Sequence, residues 1–208
     1  MHARISQATW SNGADVARDA KQMFSTTWYP VTPLYIKNFS AVCWLTGRDL
    51  FERLGGEVPV GLVVSSMGAH PIESWLGPDQ LEACGIQTYN NGTNGTMCSP
   101  HMPLSKIWAS TVIPMQPYTF ASMIWDQAEA DIICDRTPLY PCLQRQLISS
   151  YREQFNSSAM NFVAVQLPGY QLGDSVFYMR LAQAAGVVGV ERAAIVATCK
   201  STGNWRRL

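Results

Sequence analysis

The chain has no apolar run approaching the roughly 20 residues that a membrane-spanning helix needs, and no block of like charge. Fifteen basic and fifteen acidic residues cancel to a net charge of zero, so nothing here makes the electrostatic footprint of a nucleic-acid or anionic-membrane binder. The six cysteines, Cys43, Cys84, Cys98, Cys134, Cys142 and Cys199, lack the close pairs of a zinc site. No metal or cofactor is therefore expected, and the cysteines are left as disulfides or buried thiols. Internal repeats and low-complexity tracts are absent, and no G-x-S-x-G elbow surrounds Ser65 or Ser66. The start, Met1-His2-Ala3-Arg4-Ile5-Ser6, is not followed by the apolar stretch of a signal peptide.

What is present is enough for a folded core: 47% of 208 residues are hydrophobic, which suits one globular domain. Residues 1–37 read as a polar N-terminal segment of uncertain order, 38–199 as the organised domain, and 200–208 as a tail whose Arg206-Arg207 pair is solvated. Sequons for N-glycosylation start at Asn38, Asn91, Asn94 and Asn156. Together with the cysteines they point to an extracellular or lysosomal compartment, and a secretory-type body with no secretory start points to a missing beginning. Composition leaves the oligomeric state open.

Apolar spacing predicts a helix over 38–54 with Asn38 as N-cap, then a buried strand over 58–64. A short helix over 78–85 has Pro inside its start and Gly at its end. Further helices are predicted over 104–112, 138–155 and 176–185, and strands over 120–125, 161–166 and 192–198. The long helix carries Leu143, Leu147, Tyr151 and Phe155 at a spacing of four. Strands alternating with helices imply a central parallel sheet with helices on both faces, and ligands bind at the carboxyl ends of such strands.

The run Pro59-Val60-Gly61-Leu62-Val63-Val64-Ser65-Ser66-Met67-Gly68-Ala69-His70-Pro71-Ile72-Glu73-Ser74-Trp75 places serines and a glycine at one such end. With Phe39-Ser40-Ala41-Val42-Cys43-Trp44-Leu45-Thr46-Gly47-Arg48 before it and Trp125-Asp126-Gln127-Ala128-Glu129-Ala130-Asp131 after it, it resembles the sialate O-acetylesterase family of SGNH hydrolases. The resemblance spans about residues 28–199 and implies a three-layer, flavodoxin-like α/β/α sandwich. It also implies removal of O-acetyl groups from sialic acids or other acetylated sugars through an acyl-serine, with acetylated carbohydrate as the partner.

By resemblance, the Gly68 N–H and residue Asp131 lie in the oxyanion region, where preorganised donors are often the largest catalytic contribution. Gln127 and Glu129 brace the substrate side. This chain departs from the family at Met67, Ala69 and His70, where Trp, Gly and Thr are usual, and at Asp126 and Ala128, where Tyr and Gly are usual. An alanine resists the positive φ that glycine accepts, and an ionised Asp131 cannot donate a hydrogen bond.

The family's Gly-Gln-Ser-Asn nucleophile block and its closing Asp-x-x-His block do not occur in these residues. Ser11-Asn12-Gly13 lacks the preceding apolar strand that would fix a serine at a sheet edge and reads as a disordered arm, and His2 and His101 sit in a terminus and a Pro-flanked loop. One alternative makes Ser66 the nucleophile and His70 its base. Another makes the chain a non-catalytic carbohydrate-binding or interaction module, with Trp75, Trp108 or Trp125 stacking on a sugar. The expectation is an incomplete sheet, with the strands over 58–64 and 120–125 neighbours or near-neighbours, and no esterase activity from the chain alone.

Overall fold

The computed structural model describes residues 3–7, 28–37, 39–86, 104–116, 118–169 and 174–197 of the 208. These fall into two compact units, Met1–Gly68 and Ala69–Leu208. No Gly/Ser-rich or charged stretch marks the division, so composition suggested a single domain.

In the first unit, strands β1 (Ala3–Gln7), β2 (Tyr29–Pro30) and β3 (Val60–Val64) form a sheet in the order β2-β1-β3. β1 runs antiparallel to β2 and parallel to β3, with Ala3 opposite Val60 and Gln7 opposite Val64. A strand therefore does precede Ser11, inside the segment expected to carry no element. Its five residues include one strong strand former, Ile5, too little for a pattern; pairing with β3 sets the strand. Helix α1 (Pro33–Ile36) is a single turn, and α2 (Ala41–Arg53) is the predicted helix over 38–54, trimmed at both ends. Its N-cap is Ser40, whose side chain accepts from the Cys43 N–H at 3.3 Å; the expected cap, Asn38, lies outside the described residues.

β3 is less enclosed than its apolar run suggested, with Leu62 and Val64 buried and Gly61 exposed. Those two join Phe39 in a small core against Tyr29, Val31, Cys43, Trp44 and Val60. Burial pushes the Cys43 thiol up to about 11. The close approach of α2 to β3 depends on Gly47, where a Cβ would overlap the Leu62 side chain.

The second unit holds β4 (Ser122–Asp126), β5 (Asn161–Gln166) and β6 (Ala193–Ala197), in the order β4-β5-β6 with every pair parallel. Parallel neighbours need helical crossovers. Helices α4 (Glu129–Ile133) and α5 (Tyr140–Gln154) connect β4 to β5, and α6 (Asp174–Val187) connects β5 to β6. This is the expected α/β pattern, and β5 matches its predicted bounds. On α5 the spacing-four face is buried as predicted, with Leu143, Leu147 and Tyr151 enclosed and Phe155 at the C-cap. α6 buries Val176, Met179, Ala182 and Val187 while leaving Phe177, Tyr178 and Leu181 exposed.

Helix α3 (Pro78–Ala83) starts on its proline and is followed by Gly85 at φ +79, as the sequence indicated. A Cys84–Cys142 disulfide ties the end of α3 to the start of α5, with Cα atoms 5.8 Å apart; Cys134 is also disulfide-bonded. The helix predicted over 104–112 is instead a π-helical turn, Trp108–Val112, running into a 3₁₀ turn, Ile113–Met115. Pro114 has no N–H to donate to the preceding turn, and Thr111 Oγ1 donates to the Ile107 carbonyl at 2.8 Å. Both features favour irregular backbone over an α-helix. Among the described residues no helix is long and apolar enough to cross a membrane.

Gly47→Ala should lower stability by about 1–3 kcal/mol through overpacking against Leu62. Urea denaturation of the single variant and of Gly47→Ala with Leu62→Val checks this: the smaller partner should recover part of the loss.

Candidate functional site

Two stretches that the sequence marked as site blocks, 69–75 and 125–131, meet inside the second unit. Asp131 sits in the first turn of α4, fully buried. Its carboxylate accepts from the Ile72 N–H, at 3.1 Å to Oδ2 and 3.4 Å to Oδ1, and from Gln127 Nε2 at 2.5 Å. Gln127 Nε2 also donates to the His70 carbonyl at 3.0 Å. The stretch 70–72 is thereby pinned to the β4–α4 turn by backbone atoms at two places.

Gln127 is itself held from behind. The Tyr140 hydroxyl lies 3.2 Å from both the Gln127 carbonyl and its Oε1, and accepts from Trp125 Nε1 at 3.1 Å. Gln183 Nε2 on α6 donates to the Gln127 carbonyl at 3.1 Å and to the Val165 carbonyl at 3.0 Å. A side chain so bracketed loses little entropy when it must stay in one position.

Beneath the turn, Glu73 in a 3₁₀ turn (Ile72–Trp75) pairs with Arg136, Nε to Oε1 at 2.5 Å. Both are buried, and among the described residues the second Glu73 oxygen has no hydrogen-bond partner. Burial raises the Asp131 carboxyl, to about 8, and the neighbouring Glu73 charge adds to the rise; the hydrogen bonds from Gln127 and Ile72 and the Arg136 charge pull it down by less. Burial likewise raises Asp126, helped by Glu129, and lifts the Tyr140 hydroxyl well above its ordinary range.

The backbone at the two departures from glycine has kept glycine's conformation. Ala69 has φ +60, and Ala128 has φ +153 with ψ −6. Such angles cost a residue with a Cβ about 1–3 kcal/mol. At Ala128 the surroundings enforce them: its carbonyl accepts the Asp131 and Ile132 amides at 3.1 and 3.2 Å, and the preceding carbonyl is held by Gln183.

Of the residues marked in the sequence, Gln127, Asp131 and the His70 main chain are joined directly. Asp131 spends its acceptors inside the protein, while Glu129 is exposed on the first turn of α4. Ser66 and Gly68 lie in the first unit on the stretch leaving β3, both exposed, and a Cβ built on Gly68 would meet nothing within 4 Å. His70 is half-buried. Trp75 and Trp125 are core residues packed edge to face at 5.6 Å, so neither presents a ring face to a sugar; Trp108 is half-buried against Gly77. Ser11 and His101 lie outside the described residues. Sequence reasoning missed Glu73, Arg136 and Tyr140. Glu73 stood inside the quoted run with an apolar residue before it, but Arg136 carried no signal.

The chain is 36% identical to the human sialate O-acetylesterase over 122 residues, which is 59% of this chain and 23% of that protein. It is 33% identical to the rat sialate O-acetylesterase over 172 residues, 67% of this chain and 31% of that protein. The chain thus spans about a quarter to a third of the length of these relatives. A solved carbohydrate acetylesterase from Xanthomonas citri superposes with a TM-score of 0.72 at 20% identity, covering 94% of this chain and 42% of that one. That likeness establishes an α/β fold of the same type. No protein-family model matches the chain.

Ala128→Gly should stabilise the protein by about 1–2 kcal/mol, because its φ is one that only glycine adopts freely. Ala69→Gly should be near neutral, since the left-handed helical region costs alanine about as much as glycine loses in chain entropy. Chemical denaturation of the two variants checks the order, which would reverse if Ala128 were unstrained.

Proposed function

We propose, since this chain is a partial-length relative of the sialate O-acetylesterases, that it is an acetylesterase-type domain for O-acetylated carbohydrate whose acyl-transfer machinery is incomplete within these 208 residues. The observation that carries the reading is the joining of the two motif stretches through His70, Ile72, Gln127 and Asp131. Such a staple fixes the backbone that follows Gly68. By resemblance alone, Gly68 carries the oxyanion-donor role and Gln127 and Glu129 the acyl-sugar role.

A serine needs an adjacent base to be an effective nucleophile, and neither the Gly-Gln-Ser-Asn block nor the Asp-x-x-His block is present in the sequence. For these residues taken alone, two observations favour a binding module over an esterase. Both Asp131 oxygens are engaged inside the protein by Ile72 and Gln127, so this residue is not turned toward an oxyanion. Alanine stands at both positive-φ turn positions, 69 and 128, where the resembled family has glycine.

The disulfide at Cys84–Cys142 and the bonded Cys134 support an oxidising compartment, extracellular or lysosomal. The exposed Asn156, which begins a sequon, agrees with that placement.

The 208-residue chain should hydrolyse 4-nitrophenyl acetate and an O-acetylated sialic acid no faster than background, because loss of nucleophile or base removes all but residual catalysis. Rates for the chain, Ser66→Ala and His70→Ala decide the matter. A rate that disappears in either variant would establish a relocated pair and end the incomplete-machinery reading.

A further inference from the structure

Helix α5 ends in a turn that carries the sequon Asn156-Ser157-Ser158. Past the C-cap Phe155, Asn156 takes φ +47. Its N–H donates to the Glu153 carbonyl at 3.0 Å, and the Ser157 N–H donates to the Arg152 carbonyl at 2.8 Å. This pair of bonds closes a helix through one left-handed residue, a place that glycine fills most often and asparagine next. Helix termination therefore accounts for an asparagine at 156. It gives no reason for a serine at 158.

The three sequon residues divide their work. Ser157 is buried: its hydroxyl donates to the Phe120 carbonyl just before β4, and its carbonyl accepts the Met160 N–H at 2.9 Å. Asn156 and Ser158 are exposed, and among the described residues neither side chain has a hydrogen-bond partner. A carboxamide left in solvent, with a hydroxyl left in solvent two residues on, is the acceptor pattern of N-glycosylation. Asn38, Asn91 and Asn94, which begin the other sequons, lie outside the described residues.

The base under this turn is fixed. Arg152 Nε and Nη2 donate to the Met160 carbonyl at 3.1 and 2.9 Å, and Nη2 also reaches the Glu191 and Arg192 carbonyls at 2.7 and 3.2 Å. The Asn161 N–H donates to the Ala121 carbonyl at 3.0 Å, and the Phe162 N–H to the Arg192 carbonyl at 2.8 Å. These contacts gather the amino ends of β4, β5 and β6 around the turn. Gln127 and Asp131 follow the opposite end of β4, one strand length or about 16 Å away.

We propose that Asn156 carries an N-linked oligosaccharide, and that the amino-end pole of the β4-β5-β6 sheet consequently faces solvent in the mature protein, covered by no partner. The proposal rests on the reading of the chain as one that folds in an oxidising, secretory compartment. The donor is a lipid-linked oligosaccharide diphosphate. The bond from sugar C1 to the diphosphate oxygen breaks, the bond from C1 to Asn156 Nδ2 forms, and one amide proton passes to solvent as the lipid diphosphate leaves. Attachment breaks no buried contact, because the Asn156 carboxamide is not spent inside the fold. At that pole the sugar stands clear of the carboxyl edge that holds the joined motif stretches.

The test is expression of the full chain behind a cleavable secretion leader in mammalian cells. Secreted and retained fractions are both treated with peptide N-glycosidase in heavy-oxygen water and mapped by mass spectrometry. Position 156 should appear as labelled aspartate in most molecules. Asn156→Gly suits the positive φ and removes the acceptor, so it should lose the mass of one glycan and melt no lower than the deglycosylated wild type. Ser158→Ala should lose the same glycan, and Ser158→Thr should keep it. Ser157→Ala keeps the sequon and removes the anchoring hydroxyl, so it should melt lower with its glycan retained. Unlabelled Asn156 in both fractions overturns the assignment, and so does an Asn156→Gly chain that loses no glycan mass. Because the leader supplies the route, such a failure tells against the site alone; the compartment is decided separately, by the oxidation state of Cys84 and Cys142 in protein from its own source.

Discussion

The Asp131 carboxylate, out of reach of water, is the point through which two separate pieces of chain acquire a fixed relation. It reaches the main chain of Ile72 directly and that of His70 through Gln127. Both targets are backbone atoms, so the arrangement tolerates changes of side chain at 70 and 72 better than any change at 127 or 131. The layer behind it, Tyr140, Trp125 and Gln183, limits Gln127 to one orientation. Removing the carboxylate would leave the buried Ile72 amide without its acceptor, at a cost of about 1–3 kcal/mol, while Gln127 would keep its bond to the His70 carbonyl.

The parallel sheet of the second unit supports this tie. β4 delivers residues 127 and 128 at its carboxyl end, and β5 and α6 bring Gln183 behind them. Side chains on regular elements hold their positions better than side chains on loops. The irregularity is confined to backbone: the positive φ values of Ala69 and Ala128 occur where the two stretches adjoin. Strain placed next to a rigid support persists because the support over-determines it.

Periodicity and punctuation made much of this legible. The bounds of β5, the buried face of α5 and the proline start and glycine end of α3 were all visible in residue types. β1 was not, because five residues with one strong strand former give no alternation to detect, and a parallel partner 57 residues further on supplies the order. The irregular turns at 108–115 escaped for the opposite reason: apolar spacing there is helical, and one proline with one hydroxyl outweighs it. For the site, motif stretches located Gln127 and Asp131, but an acid in a turn reads as solvated until its partner is known. The partner of Glu73 stands 63 residues further on, a separation no local pattern carries.

The Cys84–Cys142 bridge bears on how the protein meets proteases. It links positions 58 residues apart, so a single cut between them leaves both products in one covalent molecule. Helix α3 and the 3₁₀ turn with Glu73 lie on one side of such a cut, and α5 with Tyr140 on the other. A nicked chain would migrate as intact protein until reduced, and its two halves would stay close enough to re-form the buried contacts between them. In a protease-rich compartment, that covalent tether makes the fold a matter of topology rather than of an unbroken backbone.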